Sequence, residues 1–489
     1  AQRQNYILNA IPELTFAQED TPNSIKGSSS KTKIAGYVGR LNYMFDQKYL
    51  AEFAFRYDGS YKFHKDYRWG FFPSLSLGWI ISEEEFFKEK YTKINKLKLR
   101  ASVGELGRDN IDAFLYKRYF NLTTEPAYAF GTTPTPSYAF YSSNSVPSYD
   151  LTWEKTRTMN VGAEFMAYDG LISASLDVFY KYTYDILQGV SGIYPPSISN
   201  NYPTIENSGK VDVRGFELEL GHQNKIGEVS YSLNGNLTWA RNKLLARAQE
   251  ENIQPWMNQI GQPLGGVYGL HATGLYQTEE QLNNRPTGPG GVQRLGDLMY
   301  QDYNQDGKVD WDDLIRIARS HTPEMVFSLS GNVTYKGFDA NFQLQGAAIC
   351  DVITSGLYPS GVMDQTEFAR AFYAEGNSPY YLVENSWTPD HTNAKYPRLG
   401  VDWNGNNGWA SDWWVVDGSY LRMKSAQIGY TLPKQIASKI NAQRLRIYVA
   451  GTNLFTIDAL DYMDPEMPSN NNGYYPQQRT FSMGLDLTF

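Results

Sequence analysis

The alternation of apolar and polar residues at the C-terminus constrains the fold of this chain more than any other feature. Residues 479–489 read RTFSMGLDLTF. In an extended strand, side chains alternate between two faces, and Ser, Gly, Asp and Thr would share the polar one. This pattern fits a membrane β-barrel strand, with one face in lipid and one toward a polar lumen, but also a half-buried strand of a soluble protein. The apolar face would carry Phe481, Met483, Leu485, Leu487 and Phe489.

The same alternation recurs along the chain and gives about 13 or 14 candidate strands. Several of them reach about 11 residues, which suits a tilted membrane strand better than the 5–6 residues usual in soluble proteins. The predicted fold class is therefore all-β, a transmembrane antiparallel β-barrel. Clear examples lie at 35–45, 49–58 and 171–185.

The links between candidate strands fall into two classes, as in barrels with short turns on one side and long extracellular loops on the other. Short links lie at 46–48 and 336–337. Within the long links we expect two short helices, at 312–318 and 365–374. The long links, rich in Gly, Pro, Asn, Ser and Tyr, are 123–150, 186–206, 243–321 and 351–417.

Composition excludes several classes of protein. The mean hydropathy is −0.49 and no run of 18 apolar residues occurs, which excludes a helical membrane protein. Aromatic residues make up 15% of the chain, and Tyr and Trp suit membrane–water interfaces. The net charge of −8 without a basic run disfavours nucleic acid as a partner. Cys350 is the single cysteine, so an internal disulfide or a multi-cysteine zinc site is excluded.

The beginning of the chain carries no recognisable targeting segment. The opening AQRQNYILNA has neither a basic stretch nor a long apolar one. We therefore expect that the chain has been processed or begins part-way through a longer protein. We assign residues 1–34 to a loop or linker and residues 35–489 to the barrel.

The sharpest local motif is an acidic loop at 302–313, DYNQDGKVDWDD. It fits the calcium-loop pattern D-x-[DN]-x-[DN]-G, with oxygen ligands on alternate residues and glycine at the sixth place. The twelfth place holds Asp rather than the usual Glu. The alternative is an acidic surface turn without metal. The predicted structural calcium site comprises Asp302, Asn304, Asp306, the carbonyl of Lys308, Asp310 and Asp313.

No catalytic constellation stands out, and we expect that the chain is not an enzyme. The five histidines are scattered, and no nucleophile elbow, phosphate loop or zinc-binding H-E-x-x-H is present. The stretch WNGNNGWASDWW at 403–414 could stack on sugar rings and hydrogen-bond to hydroxyl groups. Interfacial anchoring or loop packing explains it equally well. The candidate substrate-binding residues are Trp403, Asn404, Trp409, Trp413 and Trp414.

Several ordered motifs resemble one family, the SusC-like (SusC/RagA) TonB-dependent outer-membrane transporters. They run from about residue 36 to the C-terminus, and each alone is weak. Val103 departs from the family pattern, which has Tyr there. The motifs are RYDGS at 56–60, RWGFFPSLSLGW at 68–79, LKLRASVG at 97–104, WEKT at 153–156, DGSYLR at 417–422 and GYTLP at 429–433.

This resemblance implies the C-terminal portion of a barrel of about 22 strands. The N-terminal plug and the segment that binds TonB are not found in this chain. The missing strands would come from the preceding segment. The resemblance also implies location in the bacterial outer membrane, a SusD-like surface lipoprotein as partner, and compatibility with a dimer of transporter–lipoprotein pairs.

The function that the resemblance implies is TonB-dependent import of a bulky nutrient. Aromatic, Asn-rich loops favour an oligosaccharide, and a peptide is the alternative within the same family. A surface-binding or adhesion barrel is an alternative of another class, and a barrel hydrolase is a third.

Overall fold

The dominant element of the described structure is one large antiparallel sheet. The computed structural model describes residues 32–118, 120–122, 128–130, 135–137, 140–142, 146–190, 205–249, 253–290, 292–354, 380–399, 406–461, 464–466 and 477–489. The sheet has 14 strands. Thirteen follow each other in chain order, and the short strand Thr456–Asp458 pairs with the strand Tyr420–Thr431 beside them. The thirteen are β1 (Ile34–Phe45), β2 (Tyr49–Ser60), β3 (Trp69–Ile80), β4 (Ile94–Arg108), β5 (Glu154–Ala167), β6 (Ile172–Gly189), β7 (Ile205–Ile226), β8 (Val229–Ala246), β9 (Met325–Tyr335), β10 (Phe338–Ala348), β11 (Tyr420–Thr431), β12 (Arg444–Thr452) and β13 (Thr480–Thr488).

The short turns between strands lie at one end of the sheet. At the short-turn end, Lys336 and Gly337 join β9 to β10 with φ of 46° and 88°. Two successive residues at positive φ form the hairpin turn that matches the twist of the flanking strands. At the opposite end, here called the long-loop end, lie the strand ends that the segments 109–153, 190–204, 247–324, 349–419 and 453–479 join.

Strand pairing keeps apolar residues together on one face, as the alternation predicts. Tyr37 lies opposite Tyr57, and Phe45 opposite Tyr49. Aromatic rings gather near both ends of this face. Trp69 stacks on Tyr57 at 4.9 Å between centroids near the long-loop end, and Phe45 stacks on Tyr49 at 6.4 Å near the short-turn end. Two aromatic bands flanking an apolar zone are typical of a barrel exterior in a membrane.

The opposite face carries ion pairs that link strands across the sheet. Arg100 of β4 pairs with Asp177 of β6, and Asn160 of β5 donates to the same carboxylate at 3.1 Å. Near the short-turn end, Arg446 bridges Asp339 at 2.5 Å and Asp486 at 3.0 Å. Charges arranged in this way suit a polar lumen.

The sheet is open among the described residues, because β1 pairs only with β2 and β13 only with β12. Length, antiparallel pairing, turn asymmetry and the two faces agree with the predicted barrel portion. The prediction for residues 1–34 falls almost entirely on residues outside the described part.

The connections between the strands of the sheet contain short strands, helices and 3₁₀ turns. No helix in the described ranges is long and apolar enough to span a membrane. Short strands pair as Phe120–Leu122 with Phe140–Ser142, Tyr128–Phe130 with Thr135–Ser137, Val267–Gly269 with Ile315–Ala318, Ala272–Leu275 with Leu298–Tyr300, and Asp351–Ile353 with Val415–Asp417. The helices and 3₁₀ turns are Ile81–Glu83, Glu85–Lys90, Pro255–Met257, Glu279–Asn283, Trp311–Asp313, Tyr380–Glu384, Asp412–Trp414, Lys434–Ala437 and Ser438–Ile440.

The helix expected at 312–318 is wrong. Trp311–Asp313 forms a single 3₁₀ turn, and Ile315–Ala318 continues as a strand paired with Val267–Gly269. The isoleucines of this strand are β-branched and favour extended backbone, and the partner strand supplies their hydrogen bonds. The helix expected at 365–374 lies outside the described residues.

Candidate functional site

Two long loops pack together at the long-loop end and form what we call the loop unit. It comprises residues 265–290 and 292–318 of the β8–β9 connection with residues 380–399 and 406–417 of the β10–β11 connection. Leu270 pairs with Ser411 in an isolated parallel bridge between the two connections. The unit has a core of its own, separate from the apolar face of the sheet. The buried core residues are Leu270, Leu275, Leu298, Tyr300, Val309, Trp387, Tyr396 and Trp414.

Buried amides hold the two loops in register. Asn406 is 1% exposed, and its Nδ2 donates to the Leu298 carbonyl at 2.8 Å. Asn407 accepts from the Leu298 amide at 2.8 Å and donates to the Asp297 carboxylate at 2.9 Å. Buried polar groups of this kind are costly unless paired, so a fully bonded set specifies one arrangement. Burial raises the pKa of Asp297, against the opposing effect of the hydrogen bond from Asn407.

The acidic loop 302–313 is closed by hydrogen bonds from its own backbone. The Asp302 carboxylate accepts from the amides of Asp306 at 3.2 Å and Gly307 at 2.8 Å. Asp313, which is 1% exposed, accepts from the amides of Tyr303, Asn304 and Asp310. Gly307 has φ of 86°, which the sharp turn requires. The loop is thus formed with its carboxylates turned toward the backbone.

The residues of the acidic loop have the ligand atoms that calcium prefers, but their side chains are not arranged around a common point. Hard oxygen donors on alternate residues are what calcium prefers. However, the described residues contain no group of three or more His, Cys, Asp or Glu side chains placed to hold a metal ion. Calcium binding by Asp302, Asn304, Asp306, Lys308, Asp310 and Asp313 therefore stays a prediction.

The predicted substrate-binding aromatics have different surroundings. Trp414 is 1% exposed, and its Nε1 donates to the Asn407 carbonyl at 3.0 Å, so its indole packs inside the loop unit. Trp409 and Trp413 are half-buried at the edge of that core. Trp403 and Asn404 lie outside the described residues.

Three aromatic residues that the sequence did not single out lie on or beside the acidic loop. Trp311 is 69% exposed, and its ring centroid lies 5.1 Å from that of Trp409. Trp256 packs against Tyr303 at 5.0 Å, and its Nε1 donates to the Asp312 carbonyl at 3.0 Å. Trp256 and Trp409 are distant from the loop in sequence, so no local pattern predicts this grouping.

The last long loop is held against the sheet by a buried cation. The Arg422 side chain of β11 is 3% exposed and pairs with Asp464 at 2.8 Å and with Glu466. Lys424 adds a second cation to Glu466 at 2.6 Å. Burial alone would raise the pKa of Glu466, but the hydrogen bond from Lys424 and the charges of Arg422 and Lys424 outweigh it and lower this pKa.

Comparison with known proteins gives consistent matches over nearly the whole chain. A family model described as "TonB dependent receptor-like, beta-barrel" matches residues 3–454. TonB-dependent receptor P26 of Formosa agariphila is 27% identical over 96% of this chain and 48% of its own length. TonB-dependent receptor SusC of Bacteroides thetaiotaomicron is 27% identical over 94% of this chain and 44% of its own length.

Among solved structures, the RagAB peptide transporter superposes with a TM-score of 0.68 at 21% identity, covering 97% of this chain and 50% of that one. This likeness establishes the fold. The chain spans about half the length of the curated relatives that it matches.

Proposed function

The chain belongs to the TonB-dependent receptor-like β-barrel family, and we propose that it forms part of an importer that carries a bulky nutrient across the bacterial outer membrane. The family match over residues 3–454 is the observation that carries this proposal. The chain is a portion of an outer-membrane β-barrel, and its relatives are receptors by name rather than enzymes.

The architecture supports import in two respects. The inner face carries ion pairs such as Arg100 with Asp177 and is too polar to meet lipid. The loop unit at the long-loop end is packed and internally hydrogen-bonded, as a ligand-contacting surface needs to be if it is to hold its geometry.

The transported nutrient is, in our proposal, an oligosaccharide. Exposed Trp and Tyr side chains on the loop unit offer flat apolar faces, which suit the faces of sugar rings. A peptide is the alternative, because the RagAB protein, which is similar in fold at 21% identity, is a peptide transporter by name. A SusD-like lipoprotein over the long loops and TonB acting on a plug outside this chain complete the proposed importer.

Uptake by whole cells tests this proposal. We expect deletion of the gene to abolish uptake of a labelled oligosaccharide, and a protonophore or loss of TonB to have the same effect. Import needs energy because it moves ligand through a closed barrel, whereas binding alone does not. An adhesion barrel would be supported instead if the cells bind the oligosaccharide without taking it up, and if this binding persists with the protonophore and without TonB.

Native mass spectrometry of the protein from outer membranes tests the proposed assembly. We expect a lipoprotein of SusD type and a plug-bearing segment to accompany the chain in mild detergent. Detection of the chain alone, at its own mass, under these conditions would contradict the proposed partners.

A further inference from the structure

A pair of tryptophans lies at the surface of the loop unit, with Trp409 at the edge of its core and Trp311 exposed. Trp311 is 69% exposed, and Trp409 beside it is half-buried. Their ring planes are tilted by 54° with centroids 5.1 Å apart, so the two rings pack against each other and present one aromatic surface, most of it on Trp311. Large aromatic surface left in water is unfavourable, and clusters of it usually mark a binding surface.

Both rings are carried on rigidly held backbone. Trp311 begins a 3₁₀ turn whose start is closed by a capping box, since Asp310 accepts from the Asp312 amide and Asp313 accepts from the Asp310 amide. Trp409 follows the turn that buried Asn406 fixes to Leu298. A ligand meeting these rings would therefore lose little free energy to ordering the protein.

The aromatic surface extends along the acidic loop. Tyr303 is 38% exposed and packs edge-on against Trp256 at 5.0 Å. The hydrogen bond from Trp256 to the Asp312 carbonyl places this second pair next to Trp311 in the chain. Four rings from three segments of the chain thus border one loop.

The charge of the loop selects among ligands. Residues 302–313 contain five aspartates and one basic residue, Lys308. The carboxylates provide hydrogen-bond acceptors for hydroxyl groups and repel anions. Flat apolar rings bordered by acceptors match a neutral polyhydroxylated ligand with apolar ring faces.

We propose that Trp311 and Trp409 form a stacking site for a neutral oligosaccharide at the long-loop end. The inference rests on the proposed function for the identity of the ligand as a nutrient. A sugar ring stacks on the exposed face of Trp311, and its hydroxyl groups donate to the exposed carboxylate of Asp312, the next residue in the chain. Tyr303 and Trp256 provide a second stacking position for a neighbouring sugar unit.

Binding to the purified protein tests the site. The whole transporter, extracted from outer membranes in mild detergent, is titrated with cellohexaose, laminarihexaose, xylohexaose and maltoheptaose, with hexagalacturonic acid, and with a lysine-rich decapeptide. We expect at least one neutral saccharide to bind and hexagalacturonic acid to bind at least about tenfold more weakly. Trp311→Ala should weaken the neutral saccharide about tenfold, as expected for the loss of one stacked ring.

Two further variants make the result specific. Trp409→Phe keeps an aromatic ring against the loop core and should weaken binding less than Trp311→Ala. Tyr380 is 77% exposed on the helix Tyr380–Glu384 and contributes no ring to the tryptophan pair, so Tyr380→Ala should bind as the unmodified protein does. Equal thermal melting of the variants shows that each is folded.

Each contrary outcome has a distinct meaning. Failure of all four neutral saccharides to bind, unchanged binding in Trp311→Ala, or preference for the decapeptide would overturn the stacking site. Loss of a copurifying lipoprotein in Trp311→Ala, with saccharide binding unchanged, would overturn it in favour of a protein interface. Energy-dependent uptake that is normal in Trp311→Ala refutes the site and leaves import standing. Trp311-dependent binding without energy-dependent uptake refutes import and leaves the site standing.

Discussion

Asp313 shows how one side chain shapes the acidic loop. Its buried carboxylate accepts three backbone amides, those of Tyr303, Asn304 and Asp310. In Asp313→Ala these donors lose their acceptor, at about 1–3 kcal/mol for each buried donor left unsatisfied. We expect trypsin to cleave after the exposed Lys308 at least about tenfold faster in this variant.

The neighbouring Asp312 supplies the matched control, because its side chain is exposed. Asp312→Ala should be cleaved after Lys308 at the unmodified rate. Equal rates in Asp313→Ala and the unmodified protein would show that the loop does not depend on the buried carboxylate.

Calcium binding by the same loop is a separate prediction at the residue scale. A ligand that binds only the closed loop slows cleavage by a factor of one plus its concentration over Kd, about 100-fold at 100 times Kd. We expect cleavage after Lys308 to be slower in calcium than in EDTA. Asp306→Asn keeps an acceptor oxygen but removes a charge, and it should reduce the difference. Identical rates in calcium and EDTA would mean that the loop is an acidic turn without metal.

At the scale of elements, the anchor of the last long loop should depend on pH. The pKa of Glu466 is lowered from its usual value near 4.5, so its contribution to stability is complete above that value. The contribution is lost as the pH falls through the lower pKa of the folded protein. Protonation removes the charge that Arg422 and Lys424 bind, and the strand Thr456–Asp458 should then open more often.

Hydrogen exchange measures this opening. Glu466→Gln should lower the protection factor of Thr456–Asp458 at pH 6 by about 30-fold, equivalent to about 2 kcal/mol for hydrogen bonds to a charged group. The difference between the two proteins should narrow as the pH falls below 4.5 and through the lowered pKa of Glu466, because Glu466 then becomes protonated. A difference between them that does not narrow at all as the pH is lowered would contradict the role of the Glu466 charge.

The sequence predicts the sheet far better than the loop unit, and the elements show why. In β1 and β2 each face has its own chemistry, so a period of two identifies both the strand and the register that pairs Tyr37 with Tyr57. In the loop unit, contacts join residues about 100 positions apart, such as Asn406 with Leu298. Local patterns carry no information about such contacts. For this reason the sequence does not point to Trp311, and it groups Trp414, a core residue, with the candidates for ligand contact.

For the whole molecule, the open sheet determines what the chain can do alone. Within the described residues, β1 and β13 each pair on one side only, which leaves a row of amides and carbonyls along each edge. In a membrane such groups cost several kcal/mol each unless they are bonded, and only a closed barrel satisfies them. The described strands β1–β13 therefore need further strands beside β1 and β13 before they can insert.

Folding into detergent micelles tests this requirement. We expect residues 1–489 produced alone to aggregate, or to run on unheated gels at the position of the unfolded chain. Produced together with a segment that supplies the remaining strands, the same residues should form a species that migrates faster until it is boiled, as closed barrels do. Since the edge strands carry exposed apolar residues such as Tyr37 and Phe481, the lone chain is also the form most prone to edge-to-edge association. A compact, heat-modifiable monomer of residues 1–489 alone would show that β1 and β13 can close on each other, giving a barrel of smaller diameter than the family likeness implies.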